Sequence, residues 1–290
     1  MINKVFNKRS LKEGYFWFTK VWIQIIILIC IPFVTSLLTS KAINSNELTQ
    51  SINNNYFLIA VYQLFSKKGV GSFFVIFLTT FIVIFLVLRK MNANTLLNDG
   101  QHTYLENQYK RLWMASKFLG YDKLHLVGVS LPLQFKLVFN GVFQDYLTDS
   151  STTNFAKFSG EVFVDDSDII NNDSYSDTML LLICDTYDIK DSQIGDSYKN
   201  IPKVKISSSV IGNGIRYDNP DLVTAVREVT QKYIPQFQNV ILLTTMNPKN
   251  SIKVIGDSFS QSGRNGFDKI SVVQMDKTFI YSKEVVVFKK

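Results

Sequence analysis

Cysteine is nearly absent from this 290-residue chain: Cys30 and Cys184 are the only two. So few thiols exclude a disulfide framework and every Cys-rich zinc spacing. The scarcity suits a reducing compartment. Histidine is equally sparse. His102 and His125 have no cysteine partners and form no H-E-x-x-H pair, so no metal is expected. No G-x-x-x-x-G-K-[ST] occurs, which excludes a P-loop ATPase. Gly212-Asn213-Gly214 lacks the third glycine and the following helix of a dinucleotide fingerprint. No cofactor is expected either. Acidic residues are scarce at one end only. Residues 1–90 hold ten Lys/Arg against two Asp/Glu, whereas residues 91–290 hold twenty-one against twenty-two. The balances, +8 and −1, reproduce the overall +7 and assign the basic pI of about 9.2 to the first ninety residues. A nucleic-acid-binding domain needs its own basic face to neutralise phosphates. The larger part has no such excess, so no nucleic-acid partner is expected.

What the first ninety residues do contain is two charge-free apolar runs, about 21–40 and 69–88, each bracketed by basic residues (Lys20, Lys41, Lys68, Arg89). At the helical rise, roughly 20 residues cross the ~30 Å hydrocarbon core of a bilayer. Residues 1–90 therefore read as a transmembrane hairpin with the lipid bilayer as its first partner. Tyr15, Phe16, Trp17, Phe18 and Trp22 supply the aromatic flank of an uncleaved anchor. Pro32 removes one backbone donor inside the first run. Lys4, Lys8, Arg9, Lys12 and Lys20 precede the first span, and Arg89 with Lys90 follow the second. That bias places both termini on the cytoplasmic side of a two-span, multi-pass cell-membrane protein. Tyr56–Phe65 is too short to cross, and is expected along the outer interface or packed on the spans.

Residues 91–122 are expected to form a juxtamembrane amphipathic helix, from about Asn94 to Leu119. Leu105, Tyr109, Leu112, Ser116 and Leu119 would share one face, and Gly120 would end the helix. Residues 123–290 read as a cytoplasmic α/β domain. Strands are expected at Lys123–Ser130, Gln134–Phe139 and Gly160–Asp165. Residues 165–177 read as an acidic loop. Asp166, Asp168 and Asp177 have calcium-loop spacing, but Ile170 and Asn171 break the pattern. From Thr178 the order turns regular: strands Met179–Cys184 and Val204–Ile211, helix Asn219–Ile234, strand Asn239–Thr245 and helix Asn247–Phe259. Strands Ile270–Met275 and Thr278–Phe288 close the chain as a hairpin. Strands alternating with helices imply crossovers and a mixed, partly parallel sheet with an antiparallel edge.

Both later helices open on Asn-Pro, at Asn219-Pro220 and Asn247-Pro248. Asparagine accepts a hydrogen bond from the first-turn amides, and proline at the first helical position lacks a donor that would go unused. Plain capping accounts for both pairs. The functional alternative is that two helix starts, each following a strand end, face one crevice, the usual ligand position in an open α/β sheet. The candidate ligand-binding set is then Asp185, Ser207, Asn213, Asn219, Thr244, Thr245 and Asn247. A small anionic molecule is the ligand such a crevice would take.

Gly256-Asp257-Ser258-Phe259-Ser260 resembles the nucleophile block of GDSL-type hydrolases, and Asp122-Lys123-Leu124-His125 matches that family's Asp-x-x-His. The resemblance covers a few residues, and the serine follows the histidine here, the reverse of the family's order. It implies a serine activated by His125. In layout alone, two N-terminal spans before a cytoplasmic α/β domain resemble the coupling ATPases of conjugation and the DNA pumps of division, whose motor motifs are missing. The reading that emerges is a non-catalytic, membrane-anchored sensor or docking subunit of a bacterial transfer, secretion or defence complex, with protein partners. The alternative is a membrane-bound enzyme acting on a nucleotide-like or acylated substrate.

Overall fold

The computed structural model describes residues 12–39, 54–66, 71–100, 103–148, 155–170, 176–212, 215–259 and 266–290. It divides into two compact units: Met1–Leu97 with Trp113–Asp122, and Asn98–Leu112 with Lys123–Lys290.

The first unit is built on two long apolar helices, Lys12–Thr39 and Gly71–Asn92. The first contains a π-helical stretch, Phe18–Trp22, and continues as α1, Ile23–Thr39. Leu28, Pro32 and Ser36 recur every four residues and are its buried positions, the spacing of one helix face. The Ser36 hydroxyl donates to the Pro32 carbonyl at 2.7 Å, which gives that buried oxygen a partner within the helix. A shorter helix, α2 (Tyr56–Ser66), lays Leu58, Ile59, Val61 and Tyr62 against Val75 of the second long helix, α3 (Gly71–Asn92). Packing on a span is one of the two expectations for this segment. Along α3, Phe73, Phe77, Phe81 and Phe85 stack at centroid spacings of 6.3, 6.1 and 6.3 Å. Phe33 of α1 meets Phe73 edge-on at 5.8 Å.

One end of this hairpin is tied by uncharged polar groups. Gln24 and Asn92 exchange amide hydrogen bonds of 3.2 and 2.6 Å, and Asn92 Nδ2 also donates to the Leu119 carbonyl at 2.8 Å. Gln24 Nε2 donates to the Tyr121 hydroxyl at 2.8 Å, and that hydroxyl donates to the Lys20 carbonyl. Gly120 lies between, with φ +84°. A Cβ there would come within 2.9 Å of the Arg89 backbone, so no larger residue fits.

Of the helix expected over 94–119, the described residues form α4, Tyr109–Lys117. Asn94 takes φ 70° and Gly100 φ 72°, conformations that end a helix, and Leu105 bridges to Val129 instead. The division between units falls inside α4, after Leu112. A second correction concerns Gln134–Phe139, expected as a strand. It belongs to helix α5, Leu131–Phe139, with Ser130 in extended conformation before it and Pro132 in its first turn. Proline pre-sets the first turn, and the run has no strict alternation to favour a strand.

In the second unit a short parallel pair, β1 (Lys123–His125) with β2 (Asp145–Leu147), and a second, β3 (Ala156–Lys157) with β7 (Tyr217–Asp218), flank the main sheet. The main sheet uses β4 (Val162–Asp165), β5 (Thr178–Cys184), β6 (Lys203–Ser208), β8 (Asn239–Thr244), β9 (Lys269–Met275) and β10 (Tyr281–Lys289), in the order β10-β9-β8-β5-β6-β4. The four inner strands are parallel, and both edge strands are antiparallel. The mixed sheet is thus as expected. Six of the seven residues of β5 are buried, as an apolar strand covered on both faces requires. Helices α6 (Pro220–Tyr233) and α7 (Pro248–Val254) cover one face with α5, over Met179, Leu181, Ile183, Val240 and Leu242. The loop after β5 covers the other with Ile189, Ile194 and Tyr198. Fully burying a leucine or isoleucine contributes about 1.5–3 kcal/mol, so these two layers hold the unit together.

Candidate functional site

From β5 the chain moves to β6 through the loop on one face. From β6 it returns past β5 to β8 through α6 on the opposite face, and α7 carries it on to β9. Right-handed crossovers running in opposite directions must lie on opposite faces. The reversal therefore opens between β5 and β8, and their carboxyl ends form the switch point at which open α/β sheets bind ligands.

The residues at that point are joined by a buried polar network. Asp185 follows β5, and its Oδ2 accepts from the Asn247 backbone N–H at 3.0 Å, from Asn247 Nδ2 at 2.9 Å and from Asn250 Nδ2 at 2.9 Å. Asn247 caps α7, its Oδ1 accepting from the Lys249 and Asn250 amides at 3.0 Å each. Asn219 caps α6, accepting from Leu222 N–H at 3.0 Å. The two helix starts are linked directly: the Asn219 backbone N–H donates to Asn250 Oδ1 at 3.1 Å. Asn219 Nδ2 donates to the Ser208 hydroxyl at 2.9 Å, and the Tyr217 carbonyl accepts from both Asn247 and Asn250 side chains. Thr245 ties the strand ends themselves. Its hydroxyl accepts from Asp185 N–H at 3.1 Å and donates to the Tyr187 carbonyl at 2.8 Å, while its own N–H donates to Ile183 O. The Thr244 hydroxyl accepts from Met246 N–H. Asp185, Ser208, Asn219, Thr244, Thr245, Asn247 and Asn250 are all buried.

Burial pushes the Asp185 carboxyl above its usual range, opposed by the Asn247 backbone and Asn250 side-chain hydrogen bonds. Toward the outside Asp218, itself drawn upward by burial, is held below its usual range by Lys253 and Lys249, whose ammoniums both pair with it.

Five of the seven candidates, Asp185, Asn219, Thr244, Thr245 and Asn247, meet at this point. Ser207 does not. Alternation along β6 turns it to the other face, and the neighbouring Ser208 makes the contact with Asn219. Asn213 lies outside the described residues. Asn250 is the participant that sequence reasoning missed. Its signal was available as the second asparagine of Asn247-Pro-Lys-Asn250, one turn beyond a cap and so able to reach back.

Elsewhere, a cleft of about 400 Å³ is lined by Asp165, Asp168, Asp191, Lys203 and Lys205. Asp168 accepts from the Lys203 backbone N–H at 3.0 Å, and Asp166 accepts from Lys232 Nζ and the Tyr233 hydroxyl. Asp177 Oδ1 accepts from the Thr178 hydroxyl at 2.7 Å, so all three acids of the calcium-like spacing hold neighbouring protein groups. Ser258 lies in a π-helical turn, Ile255–Phe259, with its Oγ buried and without a partner, so no base is hydrogen-bonded to it. His125 Nδ1 accepts from Val127 N–H, and Asp122 belongs to the other compact unit. No Ser-His-Asp relay is assembled from these residues as they stand.

Two long apolar helices followed by an α/β domain with a mixed sheet define a membrane-anchored, two-span protein. Residues 6–288 match the SUa-2TM family, the "SMODS- and Ubiquitin system-associated 2TM effector domain", and the chain belongs to that family. Comparison with curated proteins gives no match. Among solved structures, the Acinetobacter baumannii Cap4 SAVED/CARF-domain receptor with the cyclic trinucleotide 3'3'3'-cAAA is 12% identical, with a TM-score of 0.42. The same receptor with 2'3'3'-cAAA gives 12% and 0.40, and the receptor described without a ligand gives 11% and 0.37. The alignments cover 62, 62 and 61% of this chain and 42, 42 and 39% of the receptor, so this chain spans less than half of that protein. Similarity at this level carries no argument about the site.

Proposed function

We propose that this effector is a non-catalytic, signal-responsive membrane protein of a bacterial defence-type complex. In it the α/β unit is cytoplasmic and receives the signal, and the two-span hairpin delivers the response. The observation that supports this most is the network at the switch point, where Asp185, Asn219, Asn247 and Asn250 join two strand ends to two helix starts. A small anionic ligand entering there would compete with the Asp185 carboxylate for the amides that it now occupies. Such a ligand would exchange one set of hydrogen bonds for another and shift the arrangement of α6 and α7. Helix α4 carries the chain from the one unit into the other.

The test is thermal unfolding of the full-length chain in lipid vesicles, with inorganic phosphate as the anion probe and 3'3'3'-cAAA as a nucleotide probe. The expected result is a concentration-dependent rise in midpoint that Thr245→Val weakens. No shift with either probe would remove the ligand from this reading and leave docking of a protein partner. Orientation is tested separately: a reporter fused after Lys90 should behave as cytoplasmic, and one at Asn54 as external. Both on one side would overturn the topology.

A further inference from the structure

Residues 98–112 belong to the α/β unit, yet residues 113–122 return to the membrane unit before the chain leaves it again at Lys123. The returning segment is therefore continued covalently by the α/β unit at both of its ends. Within the membrane unit it touches both spans. On α3, Arg89 Nη1 donates to the Lys117 carbonyl at 2.8 Å, and Phe118 lies against Phe85 at a centroid distance of 5.2 Å. Asn92 of the same helix holds the Leu119 carbonyl. On the first long helix, the Tyr121 hydroxyl donates to the Lys20 carbonyl at 3.2 Å and accepts from Gln24. Lys20 lies in the π-helical stretch, Phe18–Trp22, whose widened turn is a feature that α-helices often carry at functional positions. Between these contacts Gly120, at φ +84°, leaves no room for a Cβ against the Arg89 backbone, so the segment seats at one depth.

Gln24 and Asn92, which bond the first span to the second, are the same residues that hold positions 119 and 121. Pairing of the spans at this end and seating of the segment are thus one network. The bonds among Gln24, Asn92 and Tyr121 run between neutral groups, and they lie where Lys20 and Arg89 close the apolar runs. At such a border water can replace each partner, so unseating the segment leaves no buried charge without a counterpart. A contact that seats specifically and exchanges readily for water is suited to opening and closing.

We infer that residues 113–122 are a latch on the two spans. Seated, they hold the spans together at this end; unseated, they let those ends part while the contact of Phe33 with Phe73 persists. As a device of the response, the latch rests on the reading that the hairpin delivers it, but its test needs no ligand. Spin labels are placed at Ile26 and Val87, both half-exposed, in the full-length chain in vesicles, with Cys30 and Cys184 replaced by alanine. A second pair, at Leu38 and Ser72, reports on the other end of the spans. Tyr121→Phe keeps the ring and drops both hydroxyl bonds, whereas Gly120→Ala drives a Cβ into the Arg89 backbone. Each is expected to lengthen and broaden the 26–87 distance, Gly120→Ala more so, and to leave the 38–72 distance unchanged. The second pair also shows that each variant keeps a folded hairpin. An unchanged 26–87 distance in both variants would overturn the latch and leave 113–122 a fixed part of the hairpin. Equal changes in both pairs with the near-isosteric Tyr121→Phe would overturn it too, because the hairpin would then part as a whole. Failure of the signal reading shows elsewhere, as an unchanged melting midpoint with phosphate while the label distances respond as expected.

Discussion

Each unit hides a knot of side-chain amides, and the two knots differ in charge. In the hairpin, Gln24, Asn92 and Tyr121 satisfy one another and two carbonyls with no ionisable carboxylate among them. In the α/β unit, Asn219, Asn247 and Asn250 gather around a buried carboxylate, Asp185. Neutral amides can pair at the edge of a membrane at little cost. A carboxylate in a protein interior is tolerated only while donors surround it. The hairpin knot therefore reads as a fastening, and the other as an arrangement poised on its donors.

Breaking the charged knot should have the largest effect. Asn247→Ala removes two roles at once: the α7 cap and one of the side-chain donors to Asp185. A lost cap costs about 1 kcal/mol, and a lost hydrogen bond to a buried charge about 1.5–3 kcal/mol. A destabilisation of roughly 2.5–4 kcal/mol is expected in thermal unfolding of the full-length protein in detergent or vesicles. A loss under about 1 kcal/mol would mean that the network is slack.

The charge also gives the knot a pH dependence that the other lacks. The Asp185 carboxyl titrates above its ordinary value of 3.8 in the folded protein, so the folded state binds the proton more tightly than the unfolded chain. Stability from this group is highest below 3.8. It declines as pH rises through the elevated folded value and stays level beyond it. Asp276 runs the other way: its pKa is lowered to about 2 by its Thr278 and Ser282 partners. Its contribution is present above 3.8 and is lost as pH falls toward 2. Asp185→Asn should flatten the upper window and leave the lower one intact. Unchanged slopes in both would mean that Asp185 binds its proton equally in the folded and unfolded chain.

The neutral knot should yield a smaller number. Asn92→Leu deletes hydrogen bonds to Gln24 and to the Leu119 carbonyl, and side-chain hydrogen bonds between membrane helices average ~0.6 kcal/mol each. A loss of about 1–2 kcal/mol is expected in denaturant titration of the detergent-solubilised protein. A loss as large as that of Asn247→Ala would erase the distinction between the knots.

The two units were also legible to different degrees. The spans could be read from composition alone, because a charge-free run of this length has few other uses. The caps at Asn219 and Asn247 could be read from Asn-Pro, because capping is local chemistry within four residues. What could not be read was long-range. Gln24 meets Asn92 across 68 positions, and Asn219 meets Asn250 across 31. No periodicity encodes such pairings. The strand expected at 134–139 failed because a short apolar run looks alike in a buried helix and a buried strand, and Pro132 was the clue that decides it. The helix expected from about 94 failed in its first part, ahead of the spacing that begins at Leu105, because the backbone turns left-handed at Asn94 and Gly100. Ser207 failed by one residue, since alternation amplifies a single-position shift into a change of face.

The smallest expected effect tests whether strain is stored outside both knots. A non-glycine residue in the left-handed region costs roughly 1–2 kcal/mol, and Phe279, with φ 63° and most of its ring in water, recovers little of that through burial. Phe279→Gly removes the clash of Cβ with its own backbone but adds freedom to the unfolded chain, worth about 0.5–1 kcal/mol against it. The difference leaves a gain on the order of 0.5 kcal/mol. The midpoint of the detergent-solubilised protein should rise slightly, in contrast to the losses at Asn247 and Asn92. Phe279→Ala serves as the control: it lacks the ring but keeps the Cβ, and should show no gain. A lower midpoint for Phe279→Gly, with Phe279→Ala matching it, would show that the ring itself stabilises the β9–β10 hairpin and is packed rather than presented.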